Sequence, residues 1–204
     1  MPGRWALFAI LISLTLSILP GCQPSPVSQK PATPPSCSQL AAAVSAEEKR
    51  LHRLLNQHRN THGLPAVRLS KSLTSVARSH VRNLQAHPPK GACNLHSWST
   101  HGPWSSCCYT ADHAQARCMW HKPRELTPYS AVGYEIAAAY WGGQGEGIDA
   151  PKALRSLQGS AAHNAVMLNQ GQWKSHPWSS VGVGIHGNYA VVWFGENSDP
   201  CGNF

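Results

Sequence analysis

Val181–Ile185 (VGVGI) and Tyr189–Phe194 (YAVVWF), joined by His186-Gly187-Asn188, decide the architecture of this 204-residue chain. Both runs are short, rich in β-branched and aromatic residues, and separated by a Gly-containing link. That pattern predicts two antiparallel strands in a hairpin. The hairpin stands at the end of a chain whose first half reads as helical. Helices first and an antiparallel sheet last give an α+β class, not the alternating pattern of a parallel sheet.

Working back from the hairpin, Ser45-Ala46-Glu47-Glu48 is a capping-box pattern, with Ser at the N-cap and Glu three residues on. Leu51, Leu54 and Leu55 follow at helical spacing, and Gly63 and Pro65 end the run. The spacing predicts a helix over about 46–61. Ser70 opens a second, over about 71–86, with Leu73, Val76, Ala77, Val81 and Leu84 on one face and Pro88-Pro89 beyond it. Gly133–Tyr140 (GYEIAAAY) begins an apolar stretch expected to be helical, and Gly142–Gly147 (GGQGEG) a flexible turn. Pro151–Gln158 is a third helical pattern, which Ala161–Leu168 either continues or follows as a separate short helix. Gly91–Thr127 has little periodicity and is expected to be a long ordered loop held by disulfides, a kind of segment that often carries function.

The N-terminus has one charge, Arg4, then an apolar run from Trp5 to Leu19 and Leu19-Pro20-Gly21-Cys22. This is a secretory signal pattern, and its end resembles a bacterial lipobox. The resemblance implies removal of residues 1–21 and diacylation (palmitate-type chains) of Cys22, which would anchor the chain to a membrane outside the cytoplasm. Gln23 in place of Asp would direct it, in a Gram-negative cell, to the periplasmic side of the outer membrane. Residues 22–36 contain five Pro and read as an extended linker, leaving 37–204 as one folded domain.

Seven Cys are present. Setting Cys22 aside leaves Cys37, Cys93, Cys107, Cys108, Cys118 and Cys201, an even set suited to three disulfides in an oxidising compartment. Neighbouring Cys107 and Cys108 are not expected to bridge each other. Cys37 and Cys201 are expected to staple the domain ends, and the other four to form two local bridges whose pairing stays open. Zinc binding by these Cys is the alternative, although no paired CxxC is present. The formal net charge is +8. Outside the cytoplasm such a domain meets anionic headgroups or cell-wall polymers. No basic stripe interleaved with aromatics is present, so nucleic acid is not an expected partner.

Several segments in order resemble the CAP superfamily of cysteine-rich secretory, antigen 5 and pathogenesis-related proteins (the SCP domain). Leu54–Leu69 (LLNQHRNTHGLPAVRL) and Leu73–Val81 (LTSVARSHV) look like its opening helices. Asn94-Leu95-His96-Ser97 falls at its first site His. Gly133–Ala137 (GYEIA) is similar to its GENIA segment, and Ser160–Asn164 (SAAHN) to its SPGHR segment. The closing hairpin matches as well. The resemblance implies a three-layer α-β-α sandwich with a disulfide-rich insertion, and a cleft of two His and two acids. His96 and His163 take the His places. Aligning Ile136-Ala137 with the family puts Tyr134 at the first acid and Glu135 at the following Asn, so Glu135 needs a one-residue slip. The second acid belongs on the helix before His163, where Lys152–Gln158 (KALRSLQ) has none. Glu146 is the substitute only if its turn folds back.

His96, Glu135, His163 and Glu146 are thus the candidate ligands for zinc or another divalent cation. The contrary expectation is a hydrogen-bonded polar cluster that fixes the cleft. HExxH, GxSxG, P-loop and GxGxxG signatures are absent. Ser97 or Ser99 beside His96 would mimic a Ser/His pair, but no oxyanion feature is readable, and His101, His113 and His121 read as loop residues. Trp98, Trp104 and Trp120 are expected to pack around the disulfides or to line a groove for lipid or glycan. The expected function is binding rather than turnover: an anchored extracytoplasmic module for a lipid, glycan, envelope component or protein partner. The rivals are a zinc-dependent hydrolase of envelope peptides and a disulfide-stabilised adhesion or scaffold protein.

Overall fold

The computed structural model describes residues 33–40, 43–142 and 146–204. The signal segment 1–21, Cys22, most of the Pro-rich linker and the centre of the GGQGEG turn lie outside these residues.

Helix α1 (Ala46–Thr61) opens on the expected capping box: Ser45 Oγ accepts from Glu48 N at 3.1 Å, and Glu48 Oε2 accepts from Ser45 N at 2.8 Å. Strand β1 (Arg68–Leu69) leads directly into α2 (Lys71–Ala86), where Ser70 Oγ caps Leu73 N. Two short helices, α3 (Ala116–Trp120) and α4 (Lys122–Leu126), sit inside the segment expected to be loop. Then come β2 (Tyr134–Ala139), α5 (Ala150–Gly159), α6 (Ala161–Met167), β3 (Ser180–His186) and β4 (Tyr189–Gly195). Ser160 has extended backbone and caps α6, so α6 is separate from α5.

The sheet runs β1-β3-β4-β2, with β1 parallel to β3 and the other pairs antiparallel. Strand β4 is buried along its whole length, and its alternation builds the two cores. Ala190, Val192 and Phe194 join Leu51 and Leu55 of α1 and Ala153 and Leu157 of α5. Tyr189, Val191 and Trp193 join Leu73, Val76 and Leu84 of α2. The result is a helix–sheet–helix sandwich. The glycines of the VGVG run explain how close α2 lies. A Cβ on Gly182 would stand 2.1 Å from the Leu73 carbonyl carbon, and one on Gly184 2.6 Å from that of Ala77.

The helix expected at 133–140 is instead strand β2, paired with β4 from Tyr134↔Phe194 to Ala139↔Tyr189. Alanine favours helix locally, but the run is short and its alternate residues belong to opposite cores: Ile136 and Ala138 to one, Ala137 to the other. Burial on both faces outweighs local propensity. The six domain cysteines form three bridges, Cys37–Cys201, Cys93–Cys108 and Cys107–Cys118. Zinc binding by these thiols is thereby corrected, since no thiolate among them is free.

Candidate functional site

Glu135 is the centre of the site. It lies opposite Trp193 on the edge strand β2, its side chain fully buried. Each oxygen meets an imidazole: His80 Nδ1 donates to Oε2 at 2.5 Å and His96 Nδ1 donates to Oε1 at 2.7 Å. His80 comes from the buried face of α2, and its Nε2 donates to the Ser97 carbonyl at 3.0 Å. Carbonyl and carboxylate oxygens only accept here, so His80 donates from both nitrogens, as an imidazolium against the carboxylate. Its ring also stacks on Trp98, with centroids 4.3 Å apart. His96 sits in a turn in which its own N–H donates to Asn94 Oδ1. Burial alone would push the Glu135 carboxyl up, but the charge and hydrogen bond of His80, with those of His96, hold it below its usual value.

With Nδ1–H committed to Glu135, His96 makes no hydrogen bond at Nε2 among the described residues. His163, from α6, stands edge-on to it with ring centroids 6.2 Å apart. Burial pushes the His163 pKa down, the His96 charge adds to this, and Glu135 opposes it. These two imidazoles form the polar end of a cleft of about 490 Å³. Trp120, Tyr134 and Trp173 form an edge-to-face series along its wall, at 5.7 and 5.1 Å. Tyr109, hydrogen-bonded to His113 Nδ1 at 2.8 Å, closes another side.

The structure brings His96, Glu135 and His163 together, whereas Tyr134, which the ungapped alignment puts at the first acid, lies along the cleft wall between Trp120 and Trp173. Glu146 is elsewhere, its exposed carboxylate 3.2 Å from Lys152 Nζ. Helix α5 supplies no acid. Among the described residues, no group of three or more His, Cys, Asp or Glu is placed to hold a metal ion, and both Glu135 oxygens are engaged. The donor set as arranged does not fit a three-ligand zinc site, and no zinc chemistry is derived from it. Ser97 and Ser99 bond to Tyr109 and Asn83, respectively. The three Trp do not share one groove. Trp98 is buried against Trp104, with Lys122 Nζ over its ring, whereas Trp120 lines the cleft.

His80 was missed as a site residue by the sequence reading. Its position falls in register with Leu73, Val76, Ala77 and Leu84, so a histidine on an apolar stripe was the available signal.

The family model "Cysteine-rich secretory protein family" matches residues 52–191, most of the chain, from within α1 into β4, and includes every residue of the Glu135 cluster. The chain belongs to the CAP family. An outer surface protein of Borrelia burgdorferi superimposes on this CAP domain with a TM-score of 0.50 at 13% identity, over 75% of this chain and 94% of that one; the likeness shows the shared fold. Two further structures align with lower scores. An extracellular SCP-domain protein of Bacillus anthracis gives 0.49 at 15% identity, over 76% of this chain. A cysteine-rich secretory protein of Staphylococcus aureus gives 0.47 at 14%, over 74%. The CAP chain covers only 44% and 39% of those two proteins. No curated protein matches the sequence.

Proposed function

We propose that this CAP domain is an extracytoplasmic binding module, carried on a lipid at Cys22, whose cleft takes a neutral envelope lipid or similar amphiphile. The observation that carries the reading is the double commitment of Glu135. A carboxylate that accepts from both His80 and His96 is a positioning group. It fixes the ring of His96 at the polar end of the cleft. His163, held toward its neutral form, presents a second imidazole. The polar end therefore suits a hydroxyl or amine donor, while Trp120, Tyr134 and Trp173 suit a flat or chain-like apolar body. The three disulfides, the signal segment and the outer-surface description of the similar Borrelia protein support a location outside the cytoplasm.

Fluorescence titration of the full oxidised protein with 2-naphthol, a flat apolar probe bearing one hydroxyl donor, tests this. Binding should weaken about ten-fold for naphthalene, which lacks the donor, and for the Trp173→Ala variant. Equal binding of all three pairs would remove the cleft from the account. The hydrolase reading needs a cation at His96 Nε2 and His163, with Glu135 behind His96 in the manner of an outer-shell carboxylate; stoichiometric zinc uptake lost in His163→Ala would favour it.

A further inference from the structure

Trp98, on which His80 stacks, lines a second, larger cavity of about 610 Å³, walled also by Pro88, Pro89 and the Cys93–Cys108 and Cys107–Cys118 bridges. It shares no lining residue with the His96/His163 cleft. Two disulfides and the Trp98↔Cys107 bridge fix its floor, so the space is preorganised.

Its chemistry is one-sided. Lys90, His87 and His101 stand around it, the two imidazoles stacked with centroids 4.1 Å apart, and no Asp or Glu lines it. Glu125, which accepts from Ser105 N beside this rim, is paired with Lys122 at 2.6 Å. Among the described residues, the side chains of Lys90, Thr100 and Ser106 make no hydrogen bond, nor do the rings of His87 and His101.

Trp98, 2% exposed, forms part of the lining and adds an apolar wall beside the disulfides.

We infer that this cavity is a second ligand site, for an oxyanion-bearing small molecule. The oxyanion would meet Lys90 and the paired imidazoles, and the body of the molecule would lie against the wall that includes Trp98. The volume lies within the range of small-molecule pockets.

The oxyanion can be a carboxylate or a phosphate, so three probes are titrated into the full oxidised protein while the Trp98 indole N–H is followed by NMR. They are N-acetylmuramic acid, N-acetylglucosamine 6-phosphate and neutral N-acetylglucosamine. At least one acid should bind about ten-fold more tightly than the neutral sugar and shift the Trp98 signal; the Lys90→Ala/His101→Ala double variant should lose that margin. Whichever acid binds identifies the oxyanion source. His163→Ala should leave the affinity unchanged, which separates this site from the cleft. Failure of both acids to bind, equal binding of the neutral sugar, an unmoved Trp98 signal, or loss of binding in His163→Ala would each overturn the assignment.

Discussion

A single buried carboxylate organises the cleft, and its partners can be removed one at a time. Replacing His80 with Ala would leave Glu135 buried against His96 alone and free the Ser97 carbonyl. Breaking a buried ion pair from one side costs about 3–5 kcal/mol, so His80→Ala should lower the urea midpoint strongly. His96, partly exposed at the cleft, should matter less to stability and more to ligand. The same carboxylate sets an acid limit. Its pKa is below the 4.5 of an unfolded Glu, so its contribution is present in full above that value and fades as the pH falls through the folded pKa. Thermal melts of the native protein and Glu135→Gln should therefore differ most at neutral pH and converge below pH 4.5; a constant gap would mean that Glu135 is not ionised in the folded protein. His96 and His163 were readable from motif positions. His80 was not singled out because a histidine inside an apolar stripe carries no local mark of its partner, which lies 55 residues away.

Among the elements, β3 shows why a pattern can specify packing as well as strand. Gly182 is where α2 touches the sheet, backbone against strand. Gly182→Ala forces Leu73 away and should destabilise by about 1–3 kcal/mol. Gly159, at the end of α5, has nothing within 4 Å of a Cβ, and Gly159→Ala should stay within about 1 kcal/mol of the native protein. Equal denaturation midpoints for the two variants would contradict the close α2–β3 contact. The helices α1 and α2 were legible because capping residues and an apolar stripe coincide at Ser45 and Ser70. Strand β2 was not. Its alanines speak for helix, and only the β4 partner, more than fifty residues on, makes an extended GYEIAAAY favourable. The helices α3 and α4 are single turns without a periodic face, and their stability comes from Met119 and Lys122 buried beneath the Cys-rich segment.

Across the whole molecule, the C-terminal segment is tied down twice. Cys37 bridges Cys201 across a separation of 164 residues, and Asp199 beside it accepts from Ser70 Oγ, Ser72 N and Ser72 Oγ at 2.6–2.7 Å, holding the start of α2. The double variant Cys37→Ala/Cys201→Ala should lose about 2–5 kcal/mol, measured by chemical denaturation, while the cleft, built from β2, α2, α6 and the His96 turn, keeps its ligand affinity at low temperature. The order of motifs along the chain announced the sandwich. The division of the Trp/Cys segment into two cavities did not appear in it, because Trp98 and Trp120 part company only through tertiary packing. The central claim is that Glu135 prepares a binding cleft rather than a metal-dependent reaction centre. Calorimetric titration of 2-naphthol into the oxidised protein, first with EDTA and then with zinc, tests it most directly. The account predicts saturable one-to-one binding that is the same in both and is lost in His96→Ala. Binding that appears only with zinc would contradict it.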